Sequence, residues 1–332
     1  MNHDIFAREP LSFRGTIPVY SKPNEYTDNY DSISHDHLKS LMSDGTNPFI
    51  PEDLWVQSEE STARLIEKYS KTGDVILDVG VGLGRLLTRF PRLQRYGIDI
   101  SFGYLEAAQR EGINVCYALV EDMPYSESSF DIVVCTDVLE HVLDLNLCCS
   151  KILQVLKPGG TLIVRVPDRE DLAGYLDPSC PYKYVHLRNF DGNSLRLLFE
   201  KIFGCDCVEI LPVTFCLSSH FRYQIPIPKR DGIVSRLLSI TKSIRPPVYE
   251  ALLHKLFRPV EINVVIKKPH SQSGEIGGEP VQVDDLRKSP MIDQGPSTLA
   301  SSDSETGKRS GAVGVRANLE QDRTSHGLLK SL

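Results

Sequence analysis

In "VILDVGVGLGRLL", residues 75–87, an apolar run passes into three closely spaced glycines. Val75 to Val79 reads as a strand that is apolar except for Asp78, and Gly80, Gly82 and Gly84 then end it. A helical apolar spacing resumes at Leu86 and Leu87. Glycines at alternate positions mark a turn that a bulky neighbour or ligand approaches closely. In sheets of alternating strands and helices, ligands bind beyond the strand ends, and the first strand–helix turn is the usual place.

"RYGIDI" (95–100), "INVCYAL" (113–119), "FDIVVCT" (130–136) and "TLIVRV" (161–166) read as further strands. Helical runs intervene at "FGYLEAAQRE" (102–111), "LNLCCSKILQVL" (145–156) and "DGNSLRLLFEKIF" (191–203). This alternation predicts an α/β fold with a doubly wound, mostly parallel sheet and helices on both faces. "CDCVEILPV" and "VEINVVIKK" supply the last two strands, giving seven. Residues 1–57, polar with scattered aromatics, read as an N-terminal cap of irregular chain and short helices. The domain proper is expected over 58–268, with a late helical insertion at 213–260. From 269 to 332 Gly, Ser, Asp and Pro dominate and aromatics vanish, so that tail is expected to be disordered.

Composition narrows the class. Apolar residues make up 41% and charged residues 24%, ordinary for a globular chain. No window approaches 18 uninterrupted apolar residues, and the start lacks a basic region followed by an apolar core. Eight scattered cysteines read as reduced thiols, so the expected location is cytoplasmic. Residues 213–268 hold ten Lys/Arg against three acids, net +7, which leaves −14 for the rest of a chain of net charge −7. A basic zone on an acidic protein bears on its partners.

The turn has the form G-x-G-x-G with Asp78 two residues before the first glycine. A carboxylate there repels a pyrophosphate and suits an ammonium, which argues against a dinucleotide and its G-x-G-x-x-G fingerprint. Asp99, ending the second strand, is placed to accept hydrogen bonds from ribose hydroxyls. Both observations favour an adenosine ligand without phosphates.

With these residues in place, the chain resembles the class I S-adenosylmethionine-dependent methyltransferases. "LDVGVGLG" and "YGIDIS" look like their first two motifs, "VEDMPYSESSFDIVVCTDVLEHV" the third and fourth, and "ILQVLKPGGTLIVRVPD" the fifth. The resemblance covers about residues 58–212 and implies a Rossmann-like methyltransferase fold, S-adenosylmethionine as cofactor and methyl transfer as reaction. It places Asp78, Gly80, Gly82, Gly84, Asp99, Asp122 and Asp137 at the cofactor. Leu119 stands where many relatives carry an acid, so Asp122 or a backbone carbonyl is expected to meet the adenine amino group.

Glu140, His141 and His186 are the candidate catalytic residues at the pocket mouth. Three roles stay open. They orient or pack; or His141 or His186 is a general base; or, with Asp137, they form a site for Mg²⁺, as in metal-assisted small-RNA 2′-O-methyltransferases and ubiquinone-pathway O-methyltransferases. No metal ligand set is singled out ahead of the base. His35 and His37 read as surface residues of the cap, and Trp55 as a roof or a core aromatic.

The expected reaction is O-methylation of a hydroxyl on a small molecule, sugar or glycolipid. Alternatives are a metal-assisted RNA 2′-O-methyltransferase and a non-catalytic cofactor-binding partner protein. The basic insertion most simply covers the pocket; it also suits anionic acceptors or peripheral membrane contact through 229–258. Nucleic acid is the least favoured acceptor, because the rest of the domain is acidic.

Overall fold

The computed structural model describes residues 5–215 and 230–270. Nine strands form one sheet: β1 (Ser12–Arg14), β2 (Ile17–Val19), β3 (Val75–Val79), β4 (Gln94–Asp99), β5 (Asn114–Tyr117), β6 (Phe130–Thr136), β7 (Leu156–Pro167), β8 (Asp206–Val213) and β9 (Glu261–Lys267). Their order is β1-β2-β5-β4-β3-β6-β7-β9-β8. From β5 to β7 neighbours are parallel, and β9 runs antiparallel between β7 and β8.

The strand runs are nearly continuous in apolar residues because helices cover both faces. Ile76, Ile132, Val134 and Ile163 pack with one set of helices. That set is α2 (Glu52–Tyr69), α3 (Arg85–Thr88) and α4 (Phe102–Arg110). Leu77, Val133, Cys135 and Val164 face the opposite core. There they meet α5 (Leu145–Val155), α6 (Gly192–Leu197) and a π-helical turn, Leu198–Ile202.

Two expectations need correction. Among the described residues the sheet has nine strands rather than seven, because β1 and β2 pair antiparallel and β2 joins the β5 edge at Val19–Tyr117. Each is three residues long, too short to show an alternation in sequence. The N-terminal segment is also not a set of short helices. It holds α1 (Glu25–Ser43), 19 residues started by a reciprocal Asn24–Thr27 capping box. Helix α2 begins at Glu52, inside the expected cap, and continues into the domain.

The carboxyl ends of β3, β4, β6 and β7 lie along one edge. Glu261 at the start of β9 pairs with Pro167, and Val213 at the end of β8 pairs with Glu261. The insertion between β8 and β9 therefore leaves the sheet at that same edge. Its described part is the pair α7 (Arg230–Ile244) and α8 (Pro246–Leu256), joined over Leu238, Leu253 and Phe257. Residues 271–332, most of the tail expected to be disordered, lie outside the described residues. Among the described residues no helix is long and apolar enough to cross a membrane. Cys116, Cys135, Cys148, Cys149, Cys180, Cys205 and Cys207 are all unpaired thiols.

Candidate active site

A cavity of about 820 Å³ opens at the carboxyl edge, between the strand ends, α1 and the segment after β7. Asp78, Gly80, Gly82, Asp99, Asp137, His141 and His186 line it. The glycine turn is strapped to β4: Gly80 and Val81 N–H donate to Ile98 O at 2.9 and 3.1 Å. Its glycines serve different ends. At Gly80 (φ +76) a Cβ would sit 2.5 Å from Val138 Cγ2, so the constraint there is packing rather than a ligand. At Gly82 (φ +50) nothing lies within 4 Å of a Cβ position, and it is this residue that faces open cavity. Gly84 lies off the cavity lining and starts α3, close against Ala108 and Ile113.

Asp99 accepts from Gly82 N–H at 3.0 Å and Ser101 N–H at 2.9 Å, so it fixes the turn as well as facing the cavity. Burial raises its pKa, opposed by those backbone donors. Asp78 is buried and its Oδ1 has no partner among the described residues. Burial holds its carboxyl well above the usual range, against the pull of Arg165.

Asp122 falls elsewhere. It pairs with Arg8 at 2.5 Å and accepts from Ser21 Oγ at 2.8 Å, off the cavity lining, which includes Glu121 instead. The reason is local: Val120–Asp122 is a 3₁₀ turn, and at three residues per turn adjacent side chains point about 120° apart.

Beneath the cavity Arg165, buried on β7, reaches Asp137 at 2.5 Å, Glu261 at 3.1 Å and Thr62 Oγ1 at 3.0 Å. Burial opposes its charge, yet Asp137 and Glu261 together push its pKa up. Burial raises Glu261 to about 7, with Arg165 opposing. Asp137 adopts φ +55 and leaves Oδ1 without a partner among the described residues. Asp36, Glu59, Asp78, Asp99, Glu121, Asp137 and Glu261 line the cavity against two arginines, Arg85 and Arg165. Such a wall favours a ligand that brings positive charge.

Glu140, His141 and His186 come together: one ligand-type atom from each lies within 4.8 Å of the others. His141 Nδ1 lies 3.1 Å from Val185 O, an acceptor only, so Nδ1 carries the proton and Nε2 the lone pair. Tyr30 Oη sits 2.9 Å from the same Nδ1. Burial, then His186, lowers His141 to about 3, far from the value near 6.5 expected of a base. Glu140 lies behind it, buried, with both carboxylate oxygens unpartnered among the described residues and Oε1 4.0 Å from His141 Nε2. Burial, then Asp137, raises its carboxyl well above the usual range. His186 is set differently. Its Nδ1 meets the carboxylate of Glu170, whose other oxygen accepts from Tyr175 Oη at 2.7 Å. That bond fixes the tautomer with Nε2 as the lone-pair nitrogen.

His37 is not a surface residue. It is buried on α1, its Nδ1 lies 2.7 Å from Tyr104 Oη, and Nε2 has no partner among the described residues. It lines the cavity with Trp55, which lies under the Arg85 guanidinium at 3.6 Å. Burial, then Arg85, lowers His37 to about 4, so the ring is neutral at pH 7. His35, on the same helix, is exposed, as expected of a surface residue.

The sheet order, the glycine turn and the acid at the end of β4 define an α/β nucleoside-binding domain whose pocket wants a cation. Residues 77–164 match the family model described as a methyltransferase domain. An uncharacterized protein of Methanocaldococcus jannaschii is 26% identical over 181 residues, 52% of this chain and 77% of that protein. An O-methyltransferase of Aspergillus nomiae is 28% identical over 176 residues, 46% and 75% of the two chains. A ubiquinone biosynthesis O-methyltransferase of Nitrobacter winogradskyi is 35% identical over 102 residues, 28% of this chain and 39% of that enzyme. The chain carries a class I S-adenosylmethionine-dependent methyltransferase domain, and it is an enzyme of that class. The pocket fits the cofactor: the unpartnered oxygen of Asp78 and the acidic wall suit its ammonium and sulfonium, and Gly82 leaves room beside Asp99.

Proposed function

We propose that this enzyme methylates a hydroxyl oxygen on a small, largely apolar acceptor, with His186 as the general base. The observation that carries the reading is His186 on the cavity wall, held from behind by Glu170. S-adenosylmethionine supplies an activated methyl group, and the protein's part is to align the acceptor and take its proton. Asp99 holds the ribose hydroxyls, Gly82 and Asp78 flank the cofactor, and Glu121 replaces Asp122 at its adenine end. His186 Nε2 accepts the proton of the acceptor hydroxyl, and Glu170 offsets the charge the ring gains. Tyr26, Tyr30, Phe49, Trp55 and Tyr182 line the remaining cavity with aromatic faces and suit a planar or amphiphilic acceptor better than a bare sugar. The O-methyltransferases among the relatives support transfer to oxygen.

The test is transfer of labelled methyl to a panel of phenols, glycosides and glycolipids, with products located by mass spectrometry. An O-methyl ether on a phenol or glycolipid is the expected product. Tight cofactor binding with transfer to none of the panel would leave a binding protein. Asp99→Ala is expected to weaken S-adenosylhomocysteine binding by about 10- to 100-fold, the loss for hydrogen bonds to a charged group. Calorimetric titration measures this, and unchanged affinity would remove the ribose assignment.

A second reading has its own observation. Glu140, His141 and His186 converge, and both Glu140 oxygens lack partners among the described residues. A divalent cation would satisfy that carboxylate and acidify the acceptor hydroxyl. The same arrangement would serve an RNA 2′-hydroxyl as acceptor. On this reading excess chelator lowers turnover at least about tenfold and Mg²⁺ or Mn²⁺ restores it. Full turnover in chelator leaves His186 as the base acting alone.

A further inference from the structure

The insertion that leaves the active-site edge carries a feature the site does not use. On α7, Ile233, Leu237, Ile240 and Ile244 are 56%, 60%, 51% and 70% exposed. Their spacing of four, three and four places them in one line along the helix. Leu238 on the opposite side is buried against Leu253 and Phe257, so α7 is anchored by one face and bare on another. Val248, at the start of α8, is exposed near the end of that line. Arg236 is three residues from Ile233 and four from Ile240, adjacent to both on the helix surface, and Arg245 follows Ile244. Across residues 232–258 Arg236, Lys242, Arg245, Lys255 and Arg258 face a single acid, Glu250. All six are exposed.

We propose that the α7–α8 pair seats the enzyme on an anionic lipid bilayer, with the Ile233–Ile244 line in the acyl boundary and the arginines among the headgroups. An apolar line beside cations is the pattern of helices that lie in the membrane interface. Charge disfavours the main rival. A symmetric pairing of two copies through this face would bring the five cations of one copy close to the five of the other, with a single acid in each to offset them. The position adds meaning, because α7 and α8 spring from β8 and β9 at the edge where the cavity opens. A bilayer against this rim would present a membrane-dissolved acceptor to an apolar, aromatic-lined cavity. The docking itself does not depend on which atom is methylated.

The test is co-sedimentation of the full chain with vesicles of phosphatidylcholine containing about 30% phosphatidylglycerol, and with pure phosphatidylcholine. The chain is expected in the anionic-vesicle pellet, binding at least about tenfold more tightly than to neutral vesicles and losing that preference at high salt. Leu237→Asp/Ile240→Asp is expected to abolish binding, and Arg236→Glu/Arg245→Glu to lower it about tenfold or more. Titration of the same samples with S-adenosylhomocysteine should give unchanged affinity, which shows an intact fold and tests the methyltransferase reading separately. A chain that stays in the supernatant overturns the proposal. So does an aspartate variant that binds as the wild type does, or concentration-dependent self-association that this variant abolishes without any vesicle binding.

Discussion

Arg165→Ala is expected to destabilise the folded chain by about 3–5 kcal/mol, the range for removing one partner of a buried ion pair. Arg165 is buried, and without it the buried Glu261 loses its cation, while the half-exposed Asp137 loses its ion-pair partner. Asp78 loses it as well, since Arg165 is what opposes the upward push of burial on that carboxyl. The pH dependence follows from the direction of the shifts. Glu261 moves in the folded chain from 4.5 to about 7, so between those values the folded state holds a proton the unfolded state has released. Its burial penalty is absent below the lower value and complete above the upper one, and wild-type stability falls as pH rises through that window. In Arg165→Ala the window reaches higher, so the gap from wild type widens from about pH 5 to about pH 8. Urea melts at the two pH values measure it. Arg165→Met/Glu261→Gln, which removes a charge of each sign, should recover much of the loss. Equal stability of Arg165→Ala and wild type at the higher pH would mean the cluster is wet and contributes nothing.

That cluster also explains why the cofactor half of the site is readable in sequence and its floor is not. Asp78, Gly82 and Asp99 stand at fixed offsets within one strand–helix–strand unit, so backbone geometry alone brings them to one place. Arg165 and Glu261 meet because β7 and β9 pair, almost a hundred residues apart, and only the register of that pairing sets them opposite Asp137. A lone arginine in the apolar run "TLIVRV" was the available signal: a charge in a strand covered on both faces needs a partner. The central strands are legible because burial on two sides leaves an unbroken apolar run bounded by turns. Helix α1 is not, because the stripe it buries, Tyr26, Ser34 and His37, with Tyr30 partly covered, is polar-aromatic and fills the wall of a cavity rather than an apolar core. Read at intervals of four, four and three, those residues share one helix face, and that spacing would have found His37. Asp122 and Glu121 show the opposite limit. Adjacent acids in a 3₁₀ turn serve different places, and only the turn's rotation says which one meets the cavity.

The largest effect on chemistry is expected at His186. Replacing it with alanine should lower turnover by about 10²- to 10⁴-fold, the contribution of a positioned proton acceptor. S-adenosylhomocysteine affinity should stay within about twofold, because the base acts on the acceptor and not on the cofactor. Glu170→Gln keeps a hydrogen bond to Nδ1 but removes the charge that balances the ring once it has taken a proton, so a smaller loss, on the order of tenfold, is expected. His141 makes the contrast that gives the assignment its content. Its Nδ1 is tied to Val185 O and burial lowers it to about 3, so its ring is a poor proton acceptor and serves the wall of the site. His141→Gln should therefore cost much less than His186→Ala when no cation is involved. Under the cation reading the two substitutions should cost alike and both should raise the Mg²⁺ needed for half-maximal turnover. Added imidazole gives the final separation. It should restore part of the activity of His186→Ala with chelator present if the ring is a base, and only with Mg²⁺ present if it is a ligand.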